Sequence, residues 1–183
     1  ALRRNMNMTY IVMDNQIYGL TKGQTSPSSA KGFVTKSTPK GNIEKNVAPL
    51  ELALSSGATF VAQGFSSDIK ALTKLIEDAI HHDGFSFINV FSPCVTYNKV
   101  NTYDWFKEHL TSIDDIENYD TSNKQQAMRT ILDYESLVKG IVYQDTTTPS
   151  YESQIAELEE DALAKKDIHI SKETFNDLTA QFI

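Results

Sequence analysis

The chain has 183 residues, of which 40% are hydrophobic, and its 17 basic and 24 acidic residues leave a formal net charge of -7. This length buries one core with room for an appendage, and the composition excludes a wholly disordered or fibrous chain. There is no basic stripe with interleaved aromatics of the kind that grips nucleic acid, and no apolar run approaches the roughly 20 residues that cross a bilayer.

The sequence opens on Ala1-Leu2-Arg3-Arg4-Asn5-Met6-Asn7, which reads as the last turn of a helix leading into a strand, and the missing initial Met is expected of a piece of a longer subunit. Thr9-Tyr10-Ile11-Val12-Met13 has the pattern of a strand buried on both faces. Residues 16–47 are dense in Gly, Ser, Thr, Pro and Lys and show no periodicity, and a loop this long in a compact domain is often functional. Residues 48–56 predict a short helix with Pro49 in its first turn and Gly57 as its stop. Ala58-Thr59-Phe60-Val61-Ala62 is a second strand. Ser66-Ser67-Asp68 then caps a helix whose Ile69, Leu72, Leu75, Ile76, Ala79 and Ile80 share one face. His81 and His82 fall in its last turn before Gly84, where their partial charge suits the helix dipole. Adjacent helical residues diverge by about 100°, so a shared metal ion is not expected there.

Phe85-Ser86-Phe87-Ile88-Asn89-Val90-Phe91 is a third strand, running into Ser92-Pro93-Cys94. This alternation predicts an α/β fold, a parallel sheet flanked by helices. Ligands of such sheets sit beyond the carboxyl ends of the strands, which places residues 14–24, 63–70 and 93–98 along one rim. Helices are expected over 103–110 and 124–137, an edge strand over 140–144, a linker at 146–149 and two polar helical stretches beyond. The acidic runs Asp114-Asp115-Ile116-Glu117 and Glu157-Leu158-Glu159-Glu160-Asp161 read as solvated faces. Two parts are expected: residues 1–110, and a mainly helical C-terminal extension over 111–183 that wraps a neighbour. The single cysteine, Cys94, cannot form an internal disulfide and fits a reducing, cytoplasmic setting.

Ile11-Val12-Met13-Asp14-Asn15-Gln16-Ile17-Tyr18-Gly19-Leu20-Thr21-Lys22-Gly23-Gln24-Thr25-Ser26-Pro27 resembles the second half of the thiamine diphosphate motif of 2-oxoacid:ferredoxin oxidoreductase β subunits. Ser92-Pro93-Cys94-Val95-Thr96-Tyr97-Asn98 resembles the family's second signature, and the likeness continues through residues 47–62 and 101–107. It covers residues 1–110 well and the tail more loosely, through Gly140-Ile141-Val142-Tyr143-Gln144. The resemblance implies an N-terminally truncated thiamine diphosphate-binding fold. It implies an enzyme that oxidatively decarboxylates a 2-oxo acid, 2-oxoglutarate favoured or pyruvate, to an acyl-coenzyme A, with electrons passed through an iron-sulfur cluster to ferredoxin.

By the same resemblance Asn15, Ile17, Gly19, Leu20 and Thr21 would hold the cofactor. The Asn15 side-chain oxygen and the Ile17 carbonyl would ligate Mg2+, a hard cation suited to oxygen donors and to a diphosphate. Cys94 would be one thiolate of a four-iron four-sulfur cluster whose other ligands precede residue 1. Lys22, which stands where relatives read Gly, and Lys70 would pair a second carboxylate of the substrate. No general acid or base falls in this chain, and the family's activating glutamate comes from elsewhere in the assembly. The α subunit is therefore an expected obligate partner. Two rival readings are a non-oxidative thiamine enzyme, against which Cys94 and Pro93 argue, and a scaffolding module, in which Asn15 and the glycine-rich loop would be unnecessary.

Overall fold

The computed structural model describes residues 1–158, 163–165, 167 and 169–182. Strands β1 (Met8–Asp14), β2 (Phe60–Phe65) and β3 (Phe85–Phe91) are parallel, with β3 between the other two. In register, Phe87 lies between Tyr10 and Val61. β3 is buried along its whole length, as a strand flanked on both edges and both faces must be.

Alternating side chains separate two packing layers. Phe60, Ala62, Ile88 and Val90 meet Leu75 and Ala79 of helix α2 (Ile69–His81), with Leu72 and Ile76 partly buried beside them. Val61, Phe85 and Phe87 meet Leu50, Ala53 and Leu54 of helix α1 (Pro49–Ser55) on the other face. Both helices carry the expected punctuation. Pro49 opens α1, Gly57 follows it at a φ of 91°, and the Asp68 carboxylate accepts the Ala71 N–H at the start of α2. Ile69 and Ile80, expected on the packed face of α2, are exposed at its two ends, where the helix projects past the core layer.

Three features depart from the sequence-based expectation. β1 is not buried on both faces: Tyr10 and Met13 are 52% and 70% exposed, because among the described residues β1 is the edge strand and β3 alone lies beside it. The sheet is mixed, since β5 (Val138–Gln144) joins β2 antiparallel and the two-residue β4 (Thr111–Ser112) pairs with β5. Residues after 110 also build core: Ile113 in a 3-10 turn after β4, Ala127 and Ile131 of α4 (Lys124–Asp133), and Val138 and Val142 of β5 all join the α1 layer. The first compact unit accordingly runs Ala1–Tyr151 and takes in α3 (Tyr103–His109), whose Phe106 packs on Phe65 and Phe91. The expected continuation of α4 to residue 137 stops at Asp133, because Glu135 and Ser136 adopt positive φ and turn the chain into β5. The second unit, Glu152–Ile183, contains short 3-10 turns and α5 (Lys172–Ala180), capped by the Ser171 hydroxyl. Residues 159–161 of the expected acidic run lie outside the described residues.

His82 is not a solvated helix-end residue. It is buried, one residue past α2, within hydrogen-bond distance (2.8 Å) of the Thr59 hydroxyl. Asn5 Oδ1 accepts the Phe85 N–H (2.9 Å) and the Thr59 hydroxyl proton (2.7 Å), so the His82 Nε2–H must donate to Thr59. Burial pushes the His82 pKa below its ordinary value, against the opposing charges of Asp83 and Asp145. The unfolded chain therefore takes up this proton first as pH falls through about 6.5, and stability is lost in that window. The thermal midpoint is expected to decline from about pH 7.5 to 6, and His82→Gln, which keeps a donor for Thr59, should flatten the decline. Equal slopes in the two proteins would contradict this assignment.

Candidate cofactor site at the carboxyl rim of the sheet

At the end of β1 the backbone reverses through two side-chain-closed turns. The Asp14 carboxylate accepts the Gln16 N–H (3.0 Å) and the Ser28 hydroxyl (2.6 Å), and Asn15 Oδ1 accepts the Ile17 N–H (3.1 Å). Asx turns of this kind hold a short segment rigidly without regular structure. Gln16 sits at a φ of 58°. Burial raises the pKa of the Asp14 carboxyl, opposed by hydrogen bonds from Ser28, Gln16 and the Asn89 amide.

The next residues form a small closed loop. The Tyr18 N–H donates to the Gln24 carbonyl (2.9 Å), and Gly23 and Lys22 donate to the Tyr18 and Gly19 carbonyls (3.0 Å each). The remaining unstructured stretch is held by its own polar groups. Thr25, Thr35, Ser37 and Thr38 share hydroxyl hydrogen bonds, Asn42 donates to the Ser29 carbonyl, and the Val47 N–H closes on Pro27. The Gly, Ser and Thr content that suggested a loop is thus what orders it.

A cleft of about 540 Å³ opens over this turn, and Asn15, Ile17, Gly19, Leu20 and Thr21 all line it. Asn89 of β3 lies at its floor. Leu20 is 99% exposed, an apolar side chain held at the cleft with nothing packed over it among the described residues. No Lys or Arg lines the cleft among those residues, and its donors are amide, hydroxyl and backbone groups beside Asp14. The two lysines singled out for substrate recognition are not brought into it: Lys22 is exposed at a φ of 68°, and Lys70 is exposed near the start of α2.

Cys94 follows β3 on the same rim. A Cβ built on Gly19 would lie 3.6 Å from Cys94 Sγ, and one on Gly23, at a φ of 92°, would lie 3.0 Å from the Tyr97 ring. Gly23 is therefore favoured both by its positive φ and by the close approach of the Tyr97 ring, whereas at Gly19 a Cβ would make only an ordinary contact with the cysteine segment. The Ser92 N–H donates to the Asp14 carbonyl (2.8 Å), tying the same two segments. Burial raises the Cys94 pKa, but hydrogen bonds from the Tyr97, Thr96 and Asn98 backbone and the Lys99 charge outweigh it, so the thiol lies below its ordinary value. Amides converging on one sulfur stabilise the thiolate, the form that ligates metal.

Sequence reasoning missed Asn89 and Gln63, two fully buried amides in otherwise apolar strands, and Lys139, whose ammonium pairs with Asp68 at 2.7 Å. The Lys139 hydrogen bond lowers the Asp68 pKa. A polar residue in the middle of a buried strand is a visible signal for the first two, since such a group must find a partner. Nothing in the sequence points to Lys139, which lies 71 residues from Asp68. Among the described residues no cluster of three or more His, Cys, Asp or Glu is placed to hold a metal ion.

Residues 1–90 match the family model of the thiamine pyrophosphate enzyme C-terminal TPP binding domain, and residues 94–160 match that of the C-terminal region of the pyruvate ferredoxin oxidoreductase β chain. The match over residues 1–90 and the α/β sheet that those residues build mark a thiamine pyrophosphate enzyme domain. More narrowly, the chain belongs to the β subunits of the 2-oxoacid:ferredoxin oxidoreductases. It is 41% identical over 165 residues to the 2-oxoacid:ferredoxin oxidoreductase subunit beta of a Sulfolobus species, across 85% of this chain and 54% of the relative. It is 45% identical over 98 residues to the 2-oxoglutarate oxidoreductase subunit KorB of Mycobacterium tuberculosis, across 54% and 26% of the two chains. The 2-oxoglutarate:ferredoxin oxidoreductase of Magnetococcus marinus, solved with 2-oxoglutarate, coenzyme A and succinyl-CoA bound, superposes with a TM-score of 0.84 at 36% identity, over 97% of this chain and 60% of that one. The chain spans about half the length of the curated relatives it matches.

Proposed function

We propose that this chain is the part of a 2-oxoacid:ferredoxin oxidoreductase β subunit that holds one side of thiamine diphosphate and places it beside an iron-sulfur cluster. The observation that carries the reading is the nearness of the Asp14–Gln24 segment to Cys94: the Ser92 N–H donates to the Asp14 carbonyl (2.8 Å), and a Cβ placed on Gly19 would lie 3.6 Å from Cys94 Sγ. The cleft fits the cofactor in kind: oxygen donors and backbone groups line it, with no cationic side chain among the described residues, so a diphosphate there requires a metal cation. Asn15 Oδ1 keeps a second lone pair beyond its bond to the Ile17 N–H, and with the Ile17 carbonyl it would ligate Mg2+. Cys94 would supply one thiolate of a four-iron four-sulfur cluster, and three further thiolates would come from outside this sequence, which holds a single cysteine.

When bound, thiamine diphosphate supplies the carbon chemistry by which a 2-oxo acid loses CO2 and yields two electrons. The chain's own contribution is positional. The turn at Asp14 and Asn15 fixes the cation donors, Leu20 offers an apolar surface at the cleft, and the Cys94 amides favour a thiolate next to the loop. The α subunit, coenzyme A and ferredoxin belong to the proposal as partners, and a cytoplasmic location goes with them. No helix among the described residues is long and apolar enough to cross a membrane. The test is viologen reduction by the full-length β subunit assembled with its α partner, which should require both coenzyme A and a 2-oxo acid. Decarboxylation that proceeds at full rate without an electron acceptor would favour a non-oxidative enzyme.

Substrate choice is tested at Lys22. Because Lys22 holds a positive φ, Lys22→Gly relieves backbone strain of about 1 kcal/mol and should not destabilise the fold. Lys22 and Lys70 lie outside the cleft among the described residues, so their role requires that the assembled enzyme bring them to the substrate. On that reading the KM of Lys22→Gly for 2-oxoglutarate rises about tenfold or more while pyruvate is little affected, and Lys70→Ala acts in the same direction. Equal effects on the two substrates would remove the lysines from carboxylate recognition.

A further inference from the structure

Beneath the cofactor turn lies a second, smaller cavity of about 60 Å³, bordered by Asp14, Gln16, Gln63, Asn89 and Ser136. Two side-chain oxygens of these residues, Gln16 Oε1 and Asn89 Oδ1, are shut off from solvent and have no hydrogen-bond partner among the described residues. The orientation of Asn89 is forced. Gln63 Nε2 donates to the Ser136 and Val138 carbonyls (2.6 Å each), so Gln63 must turn Oε1 toward Asn89. Asn89 must then present Nδ2 to Gln63 (3.0 Å), and its amide also hydrogen-bonds the Asp14 carboxyl. Exchanging the oxygen and nitrogen of Asn89 would face two acceptors with an acceptor, so the unpartnered oxygen stands. Asn89 is 1% exposed, and a buried amide oxygen without a partner loses its hydration with no return, which a folded protein seldom leaves uncompensated.

We propose that this cavity is a fixed hydration site in which one water donates its two hydrogens to Asn89 Oδ1 and Gln16 Oε1. The space exceeds the roughly 10–15 Å³ that a single water needs, and the two unpartnered acceptors belong to residues that both border this cavity, matching in number the two protons that water carries. The water joins Gln16, in the middle of the Asp14 to Ile17 turn, to Asn89 on β3. Through Gln63 that link continues to the backbone at the entry of β5, so the C-terminal strand is wired to the turn. Asn89 and Gln63 are then positioning residues for the turn. This last role rests on the reading of the turn as the cofactor site, whereas the hydration site itself does not.

The test is a crystal structure of the assembled, full-length β subunit resolved finely enough to show ordered water, together with a double-mutant cycle on its thermal midpoint. A water within hydrogen-bond distance of both oxygens supports the site. A dry cavity, or a metal cation in place of water, overturns it. Gln16→Met removes one acceptor at nearly constant shape and should lose the water, while Gln16→Glu should keep it. Combined with Asn89→Leu, Gln16→Met should add less to the fall in midpoint than it does alone, and strict additivity overturns the shared water. If Asn89→Leu does not fold, the contrast between Gln16→Met and Gln16→Glu in the crystal decides alone. The positioning role predicts a rise in the KM for thiamine diphosphate with Gln16→Met at unchanged saturated kcat. An unchanged KM with the water lost would overturn that role and leave the hydration site standing.

Discussion

Cys94→Ala in the full-length β subunit, assembled with its α partner, should lower viologen reduction by 100-fold or more and reduce the bound iron and acid-labile sulfide in parallel. Clusters of this type are held by four thiolates as a rule, and this sequence offers a single one. The substitution should leave the fold intact, because Cys94 is only partly buried and lies in a turn after β3 rather than inside it. Thermal midpoint and iron content measured on the same preparation separate the two effects. Full iron content with full activity would show that the amides converging on Cys94 Sγ serve some purpose other than cluster binding.

The second large effect is expected at Asn15. Leucine keeps the branch at Cγ, though it is bulkier, and Asn15 borders the open cleft, so Asn15→Leu removes the side-chain oxygen with room for the added methyl groups. That loss strikes twice: the Ile17 N–H is left without its acceptor, and a cation donor disappears from the cleft. Loss of even an outer-shell partner costs roughly 10–100-fold in metal affinity, so loss of a direct ligand should weaken cofactor and Mg2+ binding by about 100-fold or more. Asn15→Asp retains the acceptor and should recover much of the affinity. A titration of cofactor-dependent viologen reduction reads both variants, and an Asn15→Leu protein that binds the cofactor as wild type does would show the cation to be held elsewhere.

Much of the candidate site's geometry was legible because its residues are local. Asp14 to Gln24 form one continuous turn and loop, so a motif in sequence becomes a surface in space without any long-range pairing. The approach of Gly19 to Cys94 also followed from the expected topology, since β1 and β3 end on the same rim. What escaped was set by partners far along the chain. β1 reads as a fully buried strand, yet its exposure is decided by its place at the sheet edge. β5 reads as an edge element of a tail, yet Val138 and Val142 complete the core under α1. Asn89 reads as part of the third strand and Gln63 as the start of the segment after the second, and their pairing appears only when β2, β3 and the entry to β5 are laid side by side. His82 likewise reads as a partly charged residue of the last helical turn until Thr59 and Asn5 are placed against it.

The central claim is that electrons leave the cleft at Asn15 for a cluster at Cys94. It is tested most directly by the visible absorbance of the assembled α and β subunits when a 2-oxo acid is added without an external acceptor. The account predicts a bleaching of the iron-sulfur absorbance that requires thiamine diphosphate and Mg2+ and is absent in Cys94→Ala and Asn15→Leu. Release of CO2 with the iron-sulfur absorbance unchanged would contradict it, and would assign the cleft to a thiamine enzyme that moves no electrons.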